Sequence, residues 1–409
     1  MTTKKEYINM KLAPIVLFTY NRPWHTQQTI EALQKNELAK ESELFIFSDG
    51  GKDEVSWEKV NEVREYLKTI NSFKKVILTF QDKNIGLADS IISGVTKIVN
   101  KYEKIIVLED DHVTNKFFLK FMNDALDFYE NEERIWQISG YMFPIEKESL
   151  PDIIFHQVMN CWGWGTWKNK WKYFEKDTQK LIDTYTKEDI KKFNLNNTND
   201  IWIQVLLNYR KIFNTWAVFW HEVIFRNNGL YVNPKSSLIN NIGMDSSGVH
   251  HGSTNHYYND IHTLEYNIKF EKNIKENIIA TDRIKLFYIS INNKNMVFSK
   301  NINRLFEFLK NLNSRDENYI LYGAGTGMDL VSDKLNKSKI LFTIDKDENK
   351  HNIIKNDIKI VSISNFTKYD DNKTKIIITV FGREEEISNL LLNSYNVEKD
   401  RLILLDLTL

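Results

Sequence analysis

The chain has 409 residues, 42% of them hydrophobic, enough for two or three domains at about 150 residues each. Fifty-five basic side chains face 55 acidic ones, so bulk charge offers nothing for nucleic acid or an anionic membrane to read. The single cysteine, Cys161, excludes a disulfide framework within the sequence and points to a reducing compartment. No run reaches the ~18 apolar residues of a spanning helix, and Met1 to Glu6 leads into no apolar stretch. The expectation is a cytoplasmic protein with no transmembrane segment, with peripheral membrane association left open.

The first 130 residues alternate strand and helix signals. Leu12 to Phe18 reads as a strand and Trp24 to Leu38 as a helix. Leu44 to Phe47 is a second strand, ending in Ser48-Asp49-Gly50-Gly51, whose glycines mark a loop. Val55, Val60, Val63, Leu67 and Ile70 recur near helical spacing, and Val76 to Phe80 is a third strand. Leu87 to Val99 is a helix, and Ile105 to Leu108 a fourth strand that runs straight into Glu109-Asp110-Asp111. A further apolar helix face runs from Phe117 to Phe128. Four such units predict a mostly parallel sheet with flanking helices. Between Phe143 and Tyr258 regular periodicity gives way to aromatic residues, glycines and polar loops. A charged connector with a helix near Ile302 to Leu312 follows, and then a second βα pattern. It comprises strands at Tyr319 to Tyr322, Ile340 to Ile344, Ile376 to Val380 and Leu402 to Leu405, with a helix at Met328 to Leu335. The domain expectation is therefore 1–265, a mostly helical connector 266–316, and a small Rossmann-like domain 317–409.

In a parallel sheet the loops after successive strands converge on one edge, where open α/β folds bind ligands. Here those loops are Thr19-Tyr20-Asn21-Arg22-Pro23, Ser48-Asp49-Gly50-Gly51, Asn84-Ile85-Gly86-Leu87 and Glu109-Asp110-Asp111. A guanidinium such as Arg22 pairs with phosphate or stacks on a base. Asp49 can accept from a nucleobase or ribose, and Gly86 opens a helix whose N-terminus favours anions. Three carboxylates at a strand end suit a hard divalent cation, Mn²⁺ or Mg²⁺, shared with substrate phosphates. Together the four loops describe a nucleoside-diphosphate site with a metal.

These motifs resemble the GT-A fold of nucleotide-sugar glycosyltransferases, and most nearly bacterial sugar transferases related to N-acetylglucosaminyltransferase I. The resemblance runs on through Phe117-Phe118, Trp162-Gly163-Trp164-Gly165-Thr166-Trp167 and Gly229 to His251, covering roughly residues 10 to 260. It implies Asp111 as the metal ligand, Arg22 and Asp49 at the nucleotide, and Glu109 and Asp110 near the ribose and donor sugar. Thr19, Asn21, Asn84, Gly86 and, by position, His250 complete the expected donor contacts. It also implies a UDP-sugar donor, N-acetylglucosamine or a related hexose, and a glycan or glycolipid hydroxyl as acceptor.

The tryptophan-glycine loop has two readings: an acceptor platform in which Trp162 and Trp164 stack on sugar faces, or a tryptophan-rich core. Inverting transfer needs a carboxylate base. The family places it in a Trp-Asp-Asp-Trp segment, but the matching Trp216-Ala217-Val218-Phe219 has no acid. Asp245 is the favoured substitute, with Glu222 and Asp200 as the others. In the tail, Gly323-Ala324-Gly325-Thr326-Gly327 resembles a dinucleotide turn, with Asp345 where a ribose-binding acid belongs. Met328 stands where the third glycine of that pattern should be, which favours a structural or oligomerising role. Two other functions compete: an NAD-dependent sugar oxidoreductase or epimerase acting through the tail, and a non-catalytic glycan-binding scaffold.

Overall fold

The computed structural model describes residues 11–245, 256–261, 266–292, 308–380 and 384–405. They form two compact units, 1–290 and 291–409. Both are α/β, each built on a sheet with parallel strands at its heart.

In the first unit, β1 (Ile15–Thr19), β2 (Glu43–Ser48), β3 (Lys75–Phe80) and β4 (Lys104–Glu109) alternate with α1 (Pro23–Gln34), α2 (Glu54–Lys68) and α3 (Leu87–Tyr102). The strands lie in the order β3-β2-β1-β4, all parallel. Their core positions are apolar on both faces, as a sheet covered by helices requires. Pro14 precedes β1, which runs to Thr19, one residue past the expected end. α2 starts at a capping box in which Asp53 and Ser56 bond each other's backbone N–H.

β5 (His112–Thr114) and α4 (Phe118–Phe128) follow. β6 (Ile135–Ser139) comes next, and the stretch expected to be irregular then supplies β7 (Ile153–His156), β8 (Trp164–Trp167) and α5 (Lys168–Trp171). It also supplies α6 (Thr178–Thr184), α7 (Lys187–Phe193), α8 (Trp202–Tyr209), α9 (Ala217–Arg226), β9 (Leu230–Pro234) and β10 (Ile239–Asn241). β8 pairs antiparallel with β4 and extends the sheet to eight strands in the order β3-β2-β1-β4-β8-β6-β9-β7. Short strands of mixed direction carry no readable period, which is why the sequence pattern missed them. Gly165 makes the β4–β8 pairing close: a Cβ there would stand 2.7 Å from the Ile105 carbonyl oxygen. β5 and β10 form a separate antiparallel ribbon, with Asn241 opposite His112.

Residues 266–290, expected to be connector, belong to the first unit. Phe270 stacks on Phe121 and Phe128, and on α10 (Ile278–Asn292) Phe287 and Tyr288 pack against Phe143. These aromatic contacts fasten a segment whose sequence reads as polar.

The second unit carries β11 (Tyr319–Tyr322), α11 (Thr326–Lys334), β12 (Ile340–Asp345), β13 (Ile354–Lys355) and β14 (Ile358–Ser362). It ends with α12 (Phe366–Tyr369), β15 (Lys375–Ile378), α13 (Glu384–Tyr395) and β16 (Leu402–Leu404). The order β13-β14-β12-β11-β15-β16 is doubly wound, with its switch between β11 and β15. Met328 is fully buried, so the position that breaks the glycine pattern is a core position. Among the described residues no helix is long and apolar enough to cross a membrane.

Candidate functional site

The site grows from the register of β1 on β4. Phe18 lies opposite Glu109, so the chain leaving β1 runs beside the acidic cluster. The Tyr20 backbone N–H faces Asp110 Oδ2 at 3.4 Å, and the Thr29 hydroxyl donates to the Asp110 carbonyl at 2.8 Å. Arg22, the residue capping α1, reaches both acids at once: its Nη2 contacts Asp110 Oδ1 and donates to Asp111 Oδ2 at 2.9 Å. Burial opposes the guanidinium charge, but Asp110 and Asp111 outweigh it and hold Arg22 firmly protonated. Desolvation raises the Asp110 carboxyl despite Arg22. Glu109, half-buried, is pushed up to about 8 by burial first and then by the charges of Asp111 and Asp110. The centre thus holds more carboxylate than its one guanidinium balances.

His112 accepts the Glu109 N–H at Nδ1 (3.0 Å), which leaves its proton on Nε2. Burial depresses its pKa to about 4, so the ring is neutral near pH 7. Its Nε2 lies 3.6 Å from Asp111 Oδ1, and both atoms are buried without a hydrogen-bond partner. A carboxylate oxygen stripped of water and left unpaired is costly, and a hard cation satisfies it. Asp111 could therefore hold a divalent ion, which would need further ligands from bound phosphate or water. Among the described residues no three His, Cys, Asp or Glu side chains converge as a complete protein cage.

A second strand pair closes the centre. The β5–β10 ribbon brings the chain after Asn241 back over the acids, and the Ile242 N–H donates to the Asp111 carbonyl at 2.9 Å. Gly243 then packs so tightly that any Cβ would collide with the Asp111 carboxylate and with Arg22. Two residues on, Asp245 Oδ2 meets His25 Nε2 at 3.0 Å. Asp245, the favoured base from sequence, is thus brought to the centre by a contact that no local pattern announces. No sequence motif marks His25. Its only signal is position, three residues after Arg22 on the first turn of α1.

Asp49 lies at the end of β2 but is occupied by the protein itself. Its Oδ1 accepts from the Gly50 and Ile85 N–H groups, each at 2.9 Å. Its Oδ2 accepts from the Gly86 N–H at 2.9 Å and from Asn84 Nδ2 at 3.0 Å. Asp49 therefore clamps the Asn84–Gly86 loop, and Asn84 spends its amide on Asp49 and the Gly50 carbonyl. Gly86 has φ +82° and caps α3, a conformation that excludes most side chains. Thr19 ends β1 with its hydroxyl buried and unpartnered, and Asn21 sits half-buried in the turn before α1.

The tryptophan loop divides. Trp164 is only 1% exposed, stacked 5.2 Å from Trp216 and packed on Trp171 and Trp220. It offers no face to a sugar, because β8 carries it into the core behind the sheet; for this residue the core reading replaces the platform. Trp162 stays half-buried, edge-on to Tyr141 and Tyr257. Its neighbour Cys161 has its thiol pushed up by burial and by the charges of Glu109 and Asp111, so this turn adjoins the acidic centre.

The other two base candidates have partners elsewhere. Glu222 is buried on α9, accepting from the Tyr185 hydroxyl at 3.0 Å and lying 3.5 Å from Arg226. Asp200 accepts from Asn194 at 3.2 Å ahead of α8. Trp216, Val218 and Phe219, the segment without an acid, are core residues at the start of α9. His250 lies outside the described residues.

No family model matches the sequence, and no curated protein matches it. Solved structures do. The structure of S. aureus TarS 1-349 in complex with UDP-GlcNAc is 14% identical, over 56% of this chain and 57% of that one, with a TM-score of 0.33. The same TarS fragment in complex with UDP is 15% identical over 56% and 59%, at 0.32. The mannosyltransferase PcManGT from Pyrobaculum calidifontis, in complex with GDP-Man and Mn²⁺, is 9% identical over 54% and 74%, at 0.32. The chain spans somewhat over half the length of those TarS structures.

Proposed function

We propose that this chain is a metal-dependent glycosyltransferase. It would move a sugar, N-acetylglucosamine or a related hexose, from a UDP-sugar to a glycan or glycolipid hydroxyl in bacterial surface polysaccharide assembly. The observation that carries the reading is the centre of Arg22, Asp110 and Asp111 at the ends of β1 and β4, roofed by Gly243. Its unpaired Asp111 Oδ1 is the ligand atom for Mn²⁺ or Mg²⁺, which when bound would stabilise the charge of the departing diphosphate. Arg22 stands ready for phosphate, and the Asn84–Gly86 loop, clamped by Asp49, shapes the nucleotide side. Trp162 serves the acceptor.

In this reading the acceptor oxygen attacks the anomeric carbon and its proton passes to Asp245. The bond from that carbon to the diphosphate oxygen breaks, and its electron pair leaves with the nucleoside diphosphate. Displacement from the opposite face inverts the anomeric centre.

The test is a thermal-shift screen of UDP-, GDP- and CMP-sugars with and without Mn²⁺. The expected result is stabilisation by UDP-sugars that requires the metal and is lost in Asp111→Ala. Stabilisation without metal dependence, or none by any nucleotide sugar, overturns the proposal.

A further inference from the structure

The first turn of α1 and the loop after β10 meet in two rungs. Arg22 and His25, three residues apart, share one helix face. Gly243 and Asp245 lie two residues apart in the turn that follows β10. The first rung is the contact of Gly243 with Arg22 and Asp111, too close for any Cβ. The second is His25 Nε2 to Asp245 Oδ2 at 3.0 Å. The two members differ in surroundings: the His25 side chain is 8% exposed, the Asp245 side chain 45%. Trp24 packs edge-on against the imidazole at 4.9 Å, fixing its plane.

We propose that His25 is a positioning residue: its Nε2–H holds the Asp245 carboxylate in the orientation that accepts the acceptor's proton. The inference rests on the glycosyl-transfer reading above. A half-exposed carboxylate can take several rotamers, and each added hydrogen bond narrows the set. A buried, planar donor selects one of them. During transfer the proton moves from the acceptor hydroxyl to Asp245 and later to water. The His25 proton stays on Nε2 throughout, so the imidazole shuttles nothing and acts only through Asp245.

The experiment uses the full chain with Mn²⁺ and UDP-N-acetylglucosamine, UDP-glucose and GDP-mannose. Donor hydrolysis is followed, with water standing in for the acceptor. His25→Ala and His25→Phe should each lower kcat roughly tenfold or more, while the donor KM stays within about twofold. His25→Gln, which keeps an N–H donor, should restore most of kcat. Nitrogen-15 NMR of the histidine rings should show His25 protonated at Nε2, with that resonance moving in Asp245→Asn.

The inference is overturned if His25→Ala turns over at the wild-type rate while Asp245→Asn is inactive; the base assignment then stands alone. It also falls if His25→Gln is as impaired as His25→Phe, or if His25 carries its proton on Nδ1. Full activity in Asp245→Asn removes the base assignment and this inference together. No hydrolysis of any of the three donors overturns the proposed function itself.

Discussion

The chain contains two α/β sheets that solve the same local problem alike and differ in one place. In each, the acid ending the second strand bonds backbone N–H groups of a neighbouring turn. Asp49 takes those of Gly50, Ile85 and Gly86; Asp345 takes those of Ala324 (2.6 Å) and Asp347 (2.8 Å). In both, an acid that sequence offers to a nucleotide, Asp49 to its base or ribose and Asp345 to its ribose, holds loops. The sheets part at the fourth parallel strand, β4 in the first unit and β15 in the second. β4 ends in Glu109-Asp110-Asp111 with Arg22 across from them, whereas β15 runs into Thr379 and Val380. Thr379 closes back on the Tyr322 and Gly323 carbonyls, each at 2.8 Å. Gly323, at φ +105°, has its would-be Cβ blocked by Val380. One strand end is an uncompensated charge centre and the other is a satisfied apolar corner. In the proposed function, phosphate and metal chemistry belongs to the end of β4 and not to the glycine turn of the second unit.

The strongest way to break this comparison is a pair of substitutions. Asp111→Ala should lower metal-dependent donor turnover by about a thousandfold, by removing the ligand for the ion that stabilises the leaving group. Asp345→Ala should leave turnover unchanged. Equal losses in steady-state assays would show that the contrast between the fourth strands has no functional meaning.

Gly243→Ala sharpens the geometry. The new methyl must push Asp111 and Arg22 apart, and a displacement of about an ångström is worth about a hundredfold in rate. Calorimetry should find Mn²⁺ and UDP binding weakened while circular dichroism is unchanged.

The two clamping acids predict a graded stability effect. Asp49→Ala strands three backbone N–H groups and should cost about 1–3 kcal/mol by urea denaturation. Asp345→Ala strands two and should cost less at the unfolding transition of the second unit.

The smallest effect is a pH slope. Glu109 has a folded pKa near 8 against 4.5 for an ordinary glutamate. Between those values the folded state binds a proton that the unfolded state has released, so stability falls as pH rises. The metal-free protein should show a lower urea midpoint at pH 8 than at pH 5.5, with the slope flattened in Glu109→Gln.

Much of the parallel half was legible because its causes are local. Leu44 to Phe47 and Ile105 to Leu108 are unbroken apolar runs with turn residues beyond, and α3 is a clear amphipathic helix. The convergence of the four loops follows from parallel topology alone. The half beyond β4 was not legible. β8 is built on Trp164-Gly165-Thr166-Trp167, which reads as a loop until Gly165 is seen to admit the backbone of β4. Trp162 and Trp164 look equivalent in sequence, yet Trp162 sits in the bend before β8 and stays half-buried, whereas Trp164 opens the strand and is buried in the core.

The sequence by itself determined that a strand would end in three carboxylates, that an arginine, an aspartate and a glycine loop would gather at the same edge, and that a second, smaller α/β pattern would follow. Tertiary structure decided which of these groups are committed and which are open. Asp49 is closed by N–H groups more than thirty residues away, Asp111 keeps an unpaired oxygen, and Asp245 reaches His25 across 220 positions. The physical reason is that hydrogen-bond satisfaction is settled among neighbours in space. A one-dimensional pattern names the donors and acceptors but not their partners.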